Sequence, residues 1–290
     1  MKKVLLTIAI LITTLITFTG CEQKQENSSD LKIVTSFYPM YVLTKNIAGD
    51  IDGVTIRNMT ARTVGCIHNY TLKASDLVNL EGANIFIANG LGIESFTSKI
   101  MDTYSKINVI TAGENINDLI VEENEINAHI WLSIEKYIME LENIKNGLIK
   151  ADSLHKEEYE KNAQTYKNNL EKLKEEITRK NLKKKKCVSF SESLAYLAED
   201  FNLDILTIET DHEQNGLSAE TISEVIEYIK SNNVKSILID SETAQNNAKT
   251  VEKETGAKIY IMNSCLSGED DKDNYIKSMK ENLKLVESME

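Results

Sequence analysis

Short apolar runs alternate with longer stretches whose apolar residues recur at helical spacing, and this alternation covers most of the chain. Residues 31–37 (Leu-Lys-Ile-Val-Thr-Ser-Phe) read as a strand, and Pro39 opens a helix that runs through Ile47, since proline suits a first helical turn. Residues 54–59 form a second strand. After it come a helix around 75–80, the apolar run 83–88, a helix near 93–104 and a strand at 107–110. The pattern restarts in the second half, with strands at 187–190, 204–208, 235–239 and 258–262. Helices near 194–201, 219–231 and 244–255 lie between them, the last closed by Gly256. Strands alternating with helices predict parallel α/β sheets, not a sandwich.

Between the two halves, helical character dominates after His129. Tyr159, Ala163, Tyr166, Leu170, Leu173 and Ile177 recur at steps of four and three, which is one face of a helix sustained from about 153 to 180. Glu157 and Lys161 pair at i,i+4 on its outer side. Such a helix runs roughly 40 Å at 1.5 Å per residue, longer than one domain core requires. It fits a connector between two lobes, with a coiled-coil dimer as the competing reading. The predicted architecture is therefore two parallel-sheet α/β lobes joined by one long linking helix, with a ligand cleft between them. The segments are 31–150 for the first lobe, 151–182 for the linker and 183–290 for the second lobe.

Residues 1–20 belong to targeting, not to the fold. Lys2 and Lys3 precede an apolar stretch at 4–18, which ends at Phe18-Thr19-Gly20-Cys21. A small residue followed by cysteine at that point resembles the bacterial lipoprotein box, and implies that Cys21 is lipidated and becomes the mature N-terminus. Leucine is usual where Phe18 stands. The polar segment 21–30 is then a flexible tether. The net charge of −12 excludes nucleic acid as a partner, because phosphate recognition needs basic surface. Three cysteines remain, Cys66, Cys187 and Cys265, an odd number for a disulfide framework.

Only four histidines occur in 290 residues. His68 lies in Gly65-Cys66-Ile67-His68-Asn69-Tyr70, a loop between a strand and a helix. His129 lies in Asn127-Ala128-His129-Ile130-Trp131-Leu132, beside the chain's one tryptophan. Two scarce imidazoles at loop boundaries of one lobe are candidate ligands for a metal. Ligands of open α/β sheets sit beyond the carboxyl ends of the strands. In the second lobe those positions hold Ser191-Glu192, Asp211-His212, Asp240-Ser241-Glu242 and Asn263-Ser264-Cys265. Glu192, His212 and Cys265 are the candidate donors there. Asp240 and Glu242 follow a buried strand and are placed to cap the next helix or to support a ligand. His155 opens the long helix away from every strand end, and is expected at the surface.

Together these features resemble the substrate-binding lipoproteins of zinc and manganese ABC importers, the metal-binding cluster A-I solute-binding proteins. The likeness runs through Thr35-Ser36-Phe37-Tyr38-Pro39, the loop at 66–70, Gly90-Leu91-Gly92-Ile93-Glu94 and His129-Ile130-Trp131-Leu132. It continues through Tyr196-Leu197-Ala198, Leu217-Ser218-Ala219, Glu254-Thr255-Gly256-Ala257-Lys258, Tyr275 and Asn282-Leu283. That family uses four ligands, two from each lobe, and His68 and His129 fall on the first two positions. At the other two this chain has Ser191, where His or Glu is usual, and Asn263, where Asp is usual. Asn127-Ala128 also replaces Asp-Pro, and the family's histidine-rich loop is absent. Three outcomes follow for the second half of the site: rebuilt from Glu192, His212 or Cys265, completed by water, or lost.

What the resemblance implies is a membrane-tethered receptor for Zn2+, with Mn2+ as the alternative, anchored through Cys21 to the outer face of the bacterial cytoplasmic membrane. It would act as a monomer and deliver the ion to a permease with a separate ATPase, since the chain carries no Gly-x-x-x-x-Gly-Lys-Ser/Thr loop. A degenerate relative acting as a metal-independent surface adhesion module is the rival. An enzyme is not expected, because no His-Glu-x-x-His pair occurs.

Overall fold

The apolar runs become strands, each parallel to its neighbours in two sheets of four. The structure is a computed structural model that describes residues 30–60, 67–122, 124–208, 217–240 and 245–290. In the first lobe β1 (Leu31–Thr35), β2 (Val54–Asn58), β3 (Ile85–Ala88) and β4 (Asn108–Thr111) pair in the order β2-β1-β3-β4. A two-stranded antiparallel ribbon follows, β5 (Val121–Glu122) with β6 (Glu125–Ile126). In the second lobe β7 (Lys185–Ser189), β8 (Leu203–Thr207), β9 (Ser236–Ile239) and β10 (Lys258–Ile261) pair in the order β8-β7-β9-β10. The two sheets thus share one winding. Of the inner strands, β3 and β9 are buried at every position, as strands covered by helices on both faces are.

The helices are α1 (Tyr38–Ala48), α2 (Ala74–Leu80), α3 (Thr97–Thr103), α4 (Ile134–Ala151), α5 (Lys156–Arg179), α6 (Ala195–Asp200), α7 (Ala219–Asn232), α8 (Gln245–Thr255) and α9 (Asn274–Ser288). Pro39 stands in the first turn of α1. Gly256 takes a φ of 74° just after α8, the left-handed stop that glycine adopts at little cost. Among the described residues no helix is long and apolar enough to cross a membrane. The predicted segment 1–20, the lipid-bearing Cys21 and the tether lie outside the described residues.

The long helix is α5, with 24 residues and a length of about 36 Å. All six positions of the predicted stripe, Tyr159 to Ile177, are buried. That face is spent inside this chain and not on a coiled-coil partner. Near its start Asn162 donates to the Ile47 carbonyl of α1 at 3.0 Å. Near its end Glu176 and Lys180 pair with Lys280 and Glu287 of α9. One rod therefore touches both lobes. Other ties cross between them: Tyr38 donates to the Glu269 carbonyl, Asn46 to the Lys272 carbonyl at 2.9 Å, and Tyr137 stacks on Tyr275 at 3.9 Å.

Helices α4 and α9 carry apolar stripes of their own, Ile134, Tyr137, Leu141, Ile144 and Leu148 in α4 and Tyr275, Met279, Leu283 and Val286 in α9. Polar residues are buried beside them: Glu140 in α4 and Ser278 and Asn282 in α9. Glu140 is fully buried, and neither carboxylate oxygen has a hydrogen-bond partner. Burial pushes its carboxyl well above the usual range, and the nearby Glu94 carboxylate adds to that. The folded protein therefore holds Glu140 neutral, whereas an unfolded glutamate ionises above a pH of about 4.3. Stability should fall as pH rises from that value toward the folded one, by about 1.4 kcal/mol per pH unit. Replacing Glu140 with Met, similar in volume and unable to ionise, should raise the melting temperature more at pH 8 than at pH 5. Thermal melts at both pH values check this, and an equal effect at the two would refute the neutral burial.

Candidate metal centre

His68 sits in a single 3-10 turn, Ile67–Asn69, ahead of α2. Ile67 beneath it is buried, and its carbonyl accepts from the Tyr70 N–H at 3.0 Å. Tyr70 packs edge-on to Phe96 and donates to Asp76 Oδ2 at 2.7 Å. Asp76 also takes the Lys73 N–H, at 2.7 Å. The turn is held from below and behind, and the imidazole is left 30% exposed.

His129 stands just before a second 3-10 turn, Ile130–Leu132, and is 3% exposed. The buried Trp131 ring lies 5.2 Å from it, and the indole N–H donates to the Ser264 carbonyl at 2.9 Å. Farther back, Glu94 accepts from the Ser36 hydroxyl and from the Asn89 and Gly90 N–H groups at 2.7–2.9 Å. Asn89 in turn donates to the Ala128 carbonyl at 3.2 Å. This chain of bonds fixes the residue immediately before His129.

Asn127 decides the state of that imidazole. Its Oδ1 accepts the His129 N–H at 3.1 Å and faces His129 Nδ1 at 2.9 Å. Its Nδ2 donates to Glu122 Oε2 at 3.1 Å and to the Glu192 carbonyl at 2.9 Å. Exchanging O and N would set an NH2 against a backbone N–H and an oxygen against two acceptors, so the orientation is fixed. Nδ1 therefore carries the proton, and Nε2 is the electron-pair donor of the ring. Tyr196 donates to the Asn127 carbonyl at 2.8 Å, which anchors the peptide from the second lobe.

Glu192 opens the 3-10 turn Glu192–Leu194 at the carboxyl end of β7. Its Oε1 lies 3.8 Å from His68 Nδ1, and the two imidazole rings are 5.1 Å apart, nearly perpendicular. One donor atom from each of His68, His129 and Glu192 lies within 4.8 Å of the others. Bonds of about 2.0–2.2 Å to a tetrahedral ion would draw such donors to roughly 3.4 Å apart. The three donors are therefore near one another but farther apart than in a closed tetrahedral site.

The structure does not bring Cys265 to this cluster. The residue is 2% exposed at a φ of 58°, its thiol faces the Asn263 carbonyl at 3.8 Å, and burial pushes it up to about 12. Metal ligation needs the thiolate, and this environment opposes it. Cys187 is likewise a buried free thiol, raised to about 11 by burial. Asn263 spends its Oδ1 on the Cys265 N–H at 2.9 Å. His155 pairs with Asp152 at 2.6 Å, at the start of α5. His212 and Cys66 lie outside the described residues. The support given by Glu94 and Asn89 was not foreseen, because no local pattern marks a buried carboxylate that ties two loops together.

Chains built this way, with a ligand site where two facing parallel sheets end, are two-lobed solute-binding proteins. This chain belongs to the zinc-uptake complex component A periplasmic family (ZnuA), which it matches over residues 33–288. The zinc-binding lipoprotein AdcA of Streptococcus pneumoniae is 29% identical over 308 residues, covering 99% of this chain and 60% of AdcA. The chain thus spans about 60% of the length of that relative. The manganese-binding lipoprotein MntA of Halalkalibacterium halodurans is 26% identical over 297 residues, covering 98% of this chain and 97% of MntA. The crystal structure of the Zn(II)-bound ZnuA-like domain of Streptococcus pneumoniae AdcA superposes with a TM-score of 0.75 at 29% identity, covering 89% of this chain and 98% of that one.

Two substitutions separate the supported donors from the thiol. Asn127→Ala removes the acceptor of the His129 Nδ1 proton and should weaken zinc binding by about tenfold or more. Cys265→Ala should leave affinity within about twofold while costing about 1 kcal/mol of stability. Competition with a chromogenic chelator measures the first quantity and thermal melts the second. The reverse ranking of the two variants would return the thiol to the site.

Proposed function

We propose that the protein captures a divalent transition metal between its lobes, zinc first and manganese next, as the extracytoplasmic binding component of an ABC importer. His68 and His129 supply imidazole nitrogens, and Glu192 a carboxylate oxygen from the opposite lobe. The observation that carries this reading is the convergence of those three donors within 4.8 Å. Two neutral imidazoles with one carboxylate suit zinc well and tolerate manganese. For a given donor set, divalent affinity rises steeply from manganese toward zinc, so zinc is the preferred cargo. The names of the relatives, zinc for AdcA and manganese for MntA, support the same pair.

Cys21 would carry the lipid that tethers the chain to the outer face of the bacterial cytoplasmic membrane, with residues 21–30 as the leash. The chain works as a monomer. A membrane permease takes the ion from it, and a separate ATPase drives that permease.

The test is thermal stabilisation of the full chain by added metal. At free zinc 100 times the dissociation constant, linkage gives about 2.7 kcal/mol, or roughly 5–10 °C for a chain of this size. Manganese at equal concentration should give less. His68→Ala should abolish most of the shift. A chain whose melting temperature responds to neither ion would refute metal capture and favour the adhesion reading.

A further inference from the structure

In the second lobe β7 and β9 are parallel neighbours with Ser189 opposite Leu238. Two residues farther along each strand, that register sets Ser191 beside Asp240. Asp240 Oδ2 there accepts from the Ser191 hydroxyl at 2.8 Å and from the Ser193 hydroxyl at 2.7 Å. The two hydroxyl oxygens are themselves 2.8 Å apart. Two hydroxyl protons serve three short contacts, so in any arrangement at least one is donated to the carboxylate. Ser189 completes the hold from below: its Oγ donates to the Ser191 carbonyl at 2.8 Å and accepts the Ser191 N–H at 3.2 Å.

The residue between the two gripped serines is Glu192. Its neighbours on both sides are tied to one carboxylate on another strand, so the direction in which its side chain leaves the backbone is set by that carboxylate. Ser193 is buried, which closes the inner side of the turn and leaves Glu192 facing His68 and His129. Ser191 thus takes no part as a metal donor here, because its hydroxyl is committed to the clamp.

We propose that Asp240 is a positioning residue for metal capture: through the hydroxyls of Ser191 and Ser193 it aims the Glu192 carboxylate at the two imidazoles. The inference rests on the metal reading of the His68, His129 and Glu192 cluster. A carboxylate held this way meets the ion without first ordering its own turn, which is the general route by which supporting residues raise metal affinity. Loss of the clamp should therefore act chiefly through the Glu192 side chain, with a smaller route from the Glu192 carbonyl through Asn127 to His129.

The experiment is a double-mutant cycle on the full chain with zinc alone as the probe, read as dissociation constant by chelator competition. Asp240→Ala should weaken zinc binding by about tenfold, and the Ser191→Ala/Ser193→Ala double variant by a similar factor. In the Glu192→Ala background, adding Asp240→Ala should change affinity by less than about twofold, because the group it aims is gone. Asp240→Asn, which keeps one acceptor oxygen for the hydroxyls, should recover part of the loss. A general structural role would lower affinity equally with and without Glu192, and that result would overturn the clamp. So would an Asp240→Ala chain that binds as the parent does while Glu192→Ala does not. If Glu192→Ala itself leaves zinc affinity unchanged, the metal centre as drawn is wrong, and the clamp falls with it.

Discussion

The buried face of α5 is the constraint on which the arrangement depends. Six side chains from Tyr159 to Ile177 are buried along a single helix, and the same rod contacts α1 at one end and α9 at the other. Two sheets wound in the same order are thereby fixed relative to each other. Donors from different lobes can converge only if that relation holds to within about an ångström, since metal bonds tolerate little more. The stacked Tyr137 and Tyr275 rings and the bond from Tyr38 to the Glu269 carbonyl reinforce the relation near the cleft.

The two lobes present their donors by related means. In the first, the buried Glu94 gathers Ser36 and the Asn89-Gly90 loop, and Asn89 passes that order to the peptide before His129. In the second, Asp240 gathers Ser191 and Ser193. Each is a carboxylate at the end of a parallel sheet, holding neighbouring loops by hydroxyl or amide donors. Loops at such ends lack the ladder bonds of the strands they leave, and their polar groups need other partners. Here the partners also set the geometry of the site.

Much of this was legible in the sequence. The strands announced themselves because β3 is apolar throughout and β9 from Ile237 to Ile239, as strands buried on both faces are, and α5 because its stripe is unbroken. His68 and His129 stood out through scarcity and position. Glu192 was named as a candidate because it adjoins Ser191 at a strand end. Apolar stripes also mark α4, from Ile134 to Leu148, and α9, from Tyr275 to Val286. The burial of Glu140, Ser278 and Asn282 beside them was not legible, because periodicity assigns inward positions to apolar residues. Cys265 read as a cleft residue from its place after β10, but its left-handed backbone turns the thiol into the core. The pairing of Asp240 with Ser191 was out of reach, because it follows from which strands are neighbours, and strand order is not written in local pattern.

Trp131 carries a consequence of its own. It is the chain's single indole, fully buried, with its ring 5.2 Å from that of His129. An imidazole that gains a cation becomes an electron-poor neighbour, and an adjacent excited indole senses the change as altered emission. With no second tryptophan to add background, capture at the proposed site would be readable from this one indole without any attached dye.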